Sequence, residues 1–416
     1  MKLLYFAPHQ IWPLNTGARL RDYQLARQLA SRSCVTFVEM RRAAEGPNFP
    51  PDDSGLASVV TLDKGGTYTP SKILRGLAGP TPVTMLNCWS PQQASQLAAA
   101  LKSSCFDSVQ IEGTPLMEYL PMIQKAPGTP AIVIDWHNIE SEVMWRYAET
   151  TGNWAKKLAA RRTAKLIERA EDRLLKACMT HTVSSERERQ KLLARCPGAK
   201  IEVIPNGVDT SYYSAKKIAE AFRRSGEGHS KPTLLFVGSM DYHANIDAVT
   251  WFSHTAWPEI SRNYRDLQFT IVGRDPAPQV RALASNRVHV TGTVDDVRPF
   301  YASAVAAVVP VRSGGGTRLK ILEAMAAGVP VISTRLGAEG IDVQHDVHIL
   351  LADSGAEIAS AVHRIASSAE TRSRLSRAAH SLVTTTYDWS MIGKRLHELH
   401  AELVESRASR SLETVS

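Results

Sequence analysis

Thirteen short β-branched or apolar runs, separated by windows of helical spacing, constrain this chain more than any other feature. In the first half the runs are KLLYFAP (2–8), VTFVEM (35–40), VVTLD (59–63), SVQIEG (108–113), AIVIDWHN (131–138), HTVSS (181–185) and IEVIPNG (201–207). In the second half they are TLLFVGSM (233–240), LQFTIVG (267–273), VHVTGTV (288–294), AVAAVVPV (304–311), VPVIST (329–334) and DVHILLAD (346–353). Strands that are apolar almost throughout, with helices between them, imply parallel sheets covered on both faces. The predicted fold class is therefore α/β, with two doubly wound Rossmann-like domains. Ligands of such sheets bind beyond the carboxyl ends of the strands, near the reversal of strand order. Two such edges could face one cleft.

A length of 416 residues suits two domains. The polar, basic stretch 210–232 ends in Gly and Ser and reads as an interdomain connection. Residues 64–90 are rich in Pro and Gly and show no clear pattern. The last dozen or so residues, ESRASRSLETVS, have little to bury and are expected to fray.

A formal charge of +8 fits an anionic small molecule, nucleic acid or an anionic membrane surface without choosing among them. The five cysteines (34, 88, 105, 178, 196) form no CxxC pair and read as free thiols in a reducing compartment. MKLLYFAPHQ is too short in apolar residues for a signal peptide and reads as a first strand. No stretch approaches the length of a spanning helix. These points predict a cytoplasmic protein, with contact at the inner face of the membrane left open.

The segment RSGGGTRLKILEAMAAGVPVIS (312–333) brings three glycines to a helix start. It lacks the GxxxxGK[ST] of a Walker loop, and no GxGxxG follows the first strand. Gly314, Gly315 and Gly316 would allow close backbone approach to a ligand. Thr317 is expected to cap the helix, whose N-terminus offers free N–H groups. Arg318 and Lys320 oppose the helix dipole there, which makes sense if an anion such as a diphosphate sits before them. Glu323, one turn on, could accept from two vicinal ribose hydroxyls. The alternative is a solvated Lys320–Glu323 pair with little energetic consequence.

GTRLKILEAMAAGVPVIST resembles the best-known segment of the GT-B glycosyltransferases of family 4, also called group 1. IEVIPNGVDTSYY (201–213) and LLFVGSMDYHANIDAVTWF (234–252) are similar to that family's end of the first domain and to the first strand, phosphate loop and helix of its donor domain. The resemblance implies an acceptor-binding domain over 1–207, joined by a returning helix 389–405, a nucleotide-sugar donor domain over 208–388, and a flexible tail 406–416. It implies that Glu323 holds the donor ribose and that His137 reaches the transferred sugar. It places Asn15, Thr16 and Gly17 at the diphosphate and acceptor, Val294 near the base, and Gly238 and Asn245 in the phosphate loop. The chain departs from the family in two places. The first glutamate of E-x7-E falls on Gly315, and the usual Arg and Lys of the phosphate loop fall on about Ser239 and Asn245. Arg318 and Lys320 could supply that charge.

The function this implies is transfer of a sugar from a nucleoside-diphosphate sugar to a glycan or lipid-linked acceptor in polysaccharide biosynthesis, with retention. Catalysis would rest on positioning and on stabilising the departing diphosphate. No cofactor is expected beyond the co-substrate. Asp295–Asp296 reads as a helix start, so metal independence is expected too. His137 at a strand end could instead be structural, Glu112 could meet the acceptor or be solvated, and Glu140 could cap the next helix. The stretch 154–177 is basic and could lie on an anionic membrane or be a solvated face. A sugar-nucleotide epimerase of like architecture is the alternative, along with an inactive binding homologue. Nucleic acid is disfavoured as a partner, because no recognition motif is present and the basic residues are spread out.

Overall fold

In the computed structural model the described residues are all but 15, 43–45, 47–49, 52–53, 178, 226–230, 315 and 414–416, with only the backbone described for 410–413. The chain forms two compact units, Met1–Pro205 with Trp389–Ser416, and Asn206–Asp388. Each is built on one all-parallel sheet. The first holds β1 (Lys2–Phe6), β2 (Cys34–Arg42), β3 (Ser58–Lys64), β4 (Ser108–Glu112), β5 (Ala131–Trp136), β6 (Thr180–Val183) and β7 (Lys200–Val203), in the order β3-β2-β1-β4-β5-β6-β7. The second holds β8 (Thr233–Val237), β9 (Gln268–Val272), β10 (Val288–Val290), β11 (Ala304–Val309), β12 (Val331–Ser333) and β13 (Leu350–Leu351), in the order β10-β9-β8-β11-β12-β13. Each expected run overlaps one of these strands, and the two sheets share the order in which the first strand sits inside and the chain reverses beside it.

Alternation along β1 shows how the first sheet is covered. Leu4 and Phe6 enter one core with Val38, Val109, Ile111 and Leu120. Leu3 and Tyr5 enter the other, with Leu25 and Leu29 of the first helix (Gly17–Ala30) and Ile392 and Leu396 of the last helix. Side chains of a strand point alternately to opposite faces, so both faces are dry and β1 reads as one apolar run. The second sheet is buried in a single continuous core running from Val208 to Tyr387.

The last helix (Trp389–Glu413) lies against the first so closely that a Cβ on Gly393 would stand 2.2 Å from Gln28 Cβ. It continues to Glu413, so the described part of 406–416 is helical rather than frayed. Exposed Ser406 and Ser409 hydroxyls bond back to Glu402 and Glu405 carbonyls within that helix.

Two other sequence expectations are corrected. Residues 64–90 contain helices Pro70–Ala78 and Val83–Cys88. Their prolines sit at or just before the first helical position, where proline starts a helix rather than breaks one. The stretch 210–232 is not simply a connection, because Ala215–Ser225 forms a helix of the second unit. Its buried Ile218 and Ala221 make one apolar stripe in an otherwise charged segment. The units divide at 205/206 and 388/389 instead.

Candidate functional site

In the first unit the carboxyl ends of β1, β4 and β5 lie side by side at the reversal of strand order. β4 ends on Glu112, and Gly113 turns the chain away with φ of 78°. β5 ends on Trp136, so His137 is the first residue beyond it. The first helix turns Asp22 toward the same point. His137 Nε2 lies 2.9 Å from Asp22 Oδ1 and 3.0 Å from Glu112 Oε2, and His9 Nε2 lies 2.7 Å from Asp22 Oδ2. Both carboxylates are buried, whereas the His137 side chain keeps 19% of its exposure. With Nε2 held between two acids, Nδ1 is the ring nitrogen left to meet a ligand.

This group is tied to the last helix. Gln110 Nε2 donates to Glu112 Oε1 at 2.7 Å, His400 Nε2 lies 2.9 Å from Gln110 Oε1, and His400 Nδ1 lies 2.6 Å from Ser108 Oγ. The neighbouring helix residue is equally fixed. Arg21 donates twice to Asp135, 2.9 Å each, and to the carbonyls of Ile204 and Pro205. Thr182 Oγ1 donates to Asp135 at 2.6 Å. Consecutive residues of one helix thus pin it to β5 and hold His137.

Electrostatics divides the acids. Burial pushes the Glu112 carboxyl up, repulsion from Asp135 and Asp22 adds to it, and it titrates at about 8. Burial would raise Asp22 too, but His137 and His9 outweigh it and hold that carboxyl well below the usual range. Burial alone would lower His137, yet Asp22 and Glu112 raise it well above its ordinary value. At neutral pH the cluster is an imidazolium beside an ionised Asp22 and a largely protonated Glu112. Asp22, Glu112 and His137 each present a ligand atom within 4.8 Å of the others, close enough to hold a cation. An N–H shared between the acids satisfies the same distances.

Glu112 and His137, read separately from the sequence, therefore meet. His9 and Asp22 are the residues that sequence reasoning misses. His9 lies just past the end of β1, a position the strand-end rule covers; Asp22 sits in a helical window and gives no signal. Thr16 is the N-cap of the first helix and accepts from Arg19 N, and a Cβ on Gly17 would meet nothing within 4 Å, so that helix start is open. Asn15 lies outside the described residues. Glu140 is not a cap: Ile139 holds that position without a side-chain bond. The Glu140 carboxyl is instead pushed up to about 7 by burial and by Glu171.

In the second unit the equivalent edge is formed by the loops after β8 and β11. The helix Leu319–Ala326 begins at Arg318, with no side-chain cap. Thr317 does not cap it, and its Oγ1 is buried without a hydrogen-bond partner among the described residues. The Arg318 guanidinium donates to the Gly316 carbonyl and, at 3.4 Å, to that of Ser313, so it braces the loop. Gly314 and Gly316 take φ of 93° and 78°, which favours glycine. Gly315 lies outside the described residues.

Lys320 is the cation that reaches the β8 loop. Its Nζ donates to Asn245 Oδ1 at 2.8 Å and lies 4.0 Å from the centre of the Phe236 ring. A Cβ on Gly238 would stand 2.6 Å from that Nζ. Asn245 in turn donates to the Ser239 carbonyl at 2.8 Å, and Arg274 Nε donates to Ser239 Oγ at 2.9 Å. Ser239 and Asn245 stand about where the resemblance expects a cationic pair, and each here receives a cation from elsewhere in the chain. Arg274, in the loop after β9, escapes sequence reasoning because its partner is 35 residues away. Burial and the Arg318 charge press Lys320 down to about 7.

Glu323, half-buried and one turn on, faces the hydroxyls of Tyr213 and Tyr301, whose rings meet edge to face at 5.6 Å. Burial raises its carboxyl. Val294 lines a cavity of about 930 Å³ with His289, Thr293, Asp296, Arg298 and Arg224. Asp296 accepts from Arg298 N at 2.9 Å, just ahead of the helix Arg298–Ala302.

The fold has extensive likenesses among solved structures. Sucrose-phosphate synthase from Thermosynechococcus elongatus superposes with a TM-score of 0.72 over 97% of this chain and 99% of that one, at 17% identity. The Anabaena protein HepE, solved in complex with UDP-glucose, does so with a TM-score of 0.64 over 97% of this chain and all of the other, at 14% identity. These define the GT-B architecture. The family models "Glycosyltransferase Family 4" and "Glycosyl transferases group 1" match residues 22–212 and 231–368, and between them take in most of the chain. The chain belongs to the group 1, family 4 glycosyltransferases. Phosphatidyl-myo-inositol mannosyltransferase of Mycobacterium tuberculosis is 28% identical over 223 residues, 51% of this chain and 56% of that protein. The chain thus spans about half the length of the curated relatives it matches. Among the described residues, no helix is long and apolar enough to cross a membrane.

Proposed function

We propose that this protein transfers a sugar from a nucleoside-diphosphate sugar to a hydroxyl of a glycan or lipid-linked glycan in polysaccharide biosynthesis. The observation that carries this reading is Lys320. Its ammonium sits over Gly238 at the end of β8, beside an uncapped helix N-terminus, and is bonded to Asn245. That is a preorganised place for the charge that grows on a departing diphosphate. Arg274, held on Ser239, adds a second cation at the same loop. Glu323 takes the ribose hydroxyls, and the cavity beside Val294 takes the base. The mycobacterial relative, a phosphatidyl-myo-inositol mannosyltransferase, and the UDP-glucose of the Anabaena complex support a donor and acceptor of these kinds.

In the proposed reaction the bond from the anomeric carbon to the diphosphate oxygen breaks, and the acceptor oxygen bonds to that carbon. The acceptor proton leaves with the diphosphate. His137, held by its Nε2, presents Nδ1 to a sugar hydroxyl. Retention and independence of a metal complete the proposal; turnover unchanged by a chelator is the expected result for the latter, and its loss would overturn it. The test is release of nucleoside diphosphate from a panel of UDP-, GDP- and ADP-sugars. Release from at least one donor, lowered in Lys320→Met and His137→Ala, is the expected result. No release from any, or equal release by the variants, overturns the assignment.

A second reading rests on the His9, Asp22, Glu112 and His137 cluster, since an epimerase of sugar nucleotides needs such a set for proton transfer. A sugar nucleotide with one inverted hydroxyl, formed without release of diphosphate, would decide for it.

A further inference from the structure

The exposed large apolar side chains among the described residues are not scattered. All except Tyr242, Val347 and Met391 lie between Tyr68 and Leu158, in the first unit. Three helices there carry most of them. The helix Pro70–Ala78 exposes Ile73, Leu74 and Leu77, the helix Glu140–Thr150 exposes Val143 and Tyr147, and the helix Trp154–Leu175 exposes Trp154 and Leu158. Leu74, Leu158 and Trp154 are 67%, 65% and 79% exposed. The helices share one surface: the second packs along the third, and the third touches the first, with Arg162 donating to the Gly79 carbonyl at 2.9 Å.

Cations line the same face. Trp154, Leu158, Arg161, Lys165 and Arg169 follow one another at intervals of four, three, four and four residues, one stripe of a helix. Between this helix and its neighbour runs a groove of about 740 Å³ walled by Trp145, Leu158, Leu166 and the basic side chains Arg161, Arg162, Lys165 and Arg169. Glu149 is the one acid on its lining. Arg161, Lys165 and Arg169 form no ion pair or hydrogen bond among the described residues. The buried face of the helix (Ala160, Ala164, Ile167, Ala170, Leu174) meets the protein core, so this stripe faces outward.

We infer that this surface docks on an anionic lipid bilayer, with Trp154, Leu158 and Leu74 entering the interface and Arg161, Lys165 and Arg169 meeting lipid phosphates. A solvated helix face explains exposed cations. It does not explain exposed Trp and Leu beside them, which are the apolar half of an interfacial helix. An anionic bilayer answers both halves of this surface at once, the apolar side chains and the cations beside them. The inference does not depend on the donor site, because docking needs no nucleotide.

The test is co-sedimentation of the full chain with vesicles of phosphatidylcholine, with and without phosphatidylglycerol. Binding is expected only to the phosphatidylglycerol vesicles. Neutralising Arg161, Lys165 and Arg169 to Gln should weaken it roughly a hundredfold, from the usual contribution of each cation at an anionic surface. Leu158→Ala with Trp154→Ala should weaken it even at high salt, where charge is screened. All five positions are exposed, so the fold and nucleotide binding should be unchanged. Failure to bind phosphatidylglycerol vesicles, equal binding by the triple variant, or a soluble dimer broken by the same substitutions would each overturn the inference.

Discussion

Glu112→Gln is the substitution whose effect follows most directly from the geometry. The wild-type carboxyl is fully buried, takes one bond from Gln110 at 2.7 Å, and lies 3.0 Å from His137. Burial, then Asp135 and Asp22, move it from its ordinary 4.5 to about 8. A folded value above the unfolded one means that the bound proton stabilises the fold fully below about pH 4.5 and that this contribution is lost as pH rises through about 8. Each unit corresponds to about 1.4 kcal/mol, so the loss across the window from 4.5 to about 8 is of order 5 kcal/mol. A glutamine carries no such proton and shows no such loss. Urea unfolding of the first unit, followed by tryptophan emission near pH 5 and near pH 8, is the assay. The wild type should lose stability relative to the variant across that interval. A difference between the two that is the same at both ends would refute the buried, protonated Glu112.

Three further outcomes are expected. Arg21→Met strands the buried Asp135 and should cost about 3–5 kcal/mol, most of it recovered when Asp135→Leu is added, as read by chemical denaturation. Lys320→Met should weaken nucleoside-diphosphate binding about tenfold or more, as expected for a charge-assisted bond. It should also flatten the pH profile: in the wild type Lys320 loses its proton through about 7, so binding measured by calorimetry falls above that pH. Gly393→Ala places a methyl 2.2 Å from Gln28 Cβ and should lower stability by about 1–3 kcal/mol, with the loss in the unit formed by the first and last helices.

The scaffold was legible because parallel strands are dry on both faces. Leu3, Leu4, Tyr5 and Phe6 enter different cores, yet all are apolar, so the run is visible without knowing the neighbours. The candidate site was legible where a strand end marks it, as at Glu112 and His137, or where a glycine loop enters a helix, as at Lys320 and Glu323. Asp22 was hidden because its partner His137 is far along the chain, and Arg274 because its partner Ser239 lies across the loop of another strand. Thr317 misled for a different reason: a good capping residue sits one position too early, and the chain begins its helix at Arg318 instead. The helices at 70–88 were masked by prolines that mark their starts.

In the proposed function the edge of the second sheet holds a nucleoside diphosphate. A thermal-shift titration with UDP, GDP, ADP and TDP, run on the wild type and on Glu323→Ala, tests it most directly. At least one nucleotide should raise the melting temperature of the wild type, and the variant should lose most of that rise. No stabilisation by any of the four, or an equal response from the variant, would contradict the claim.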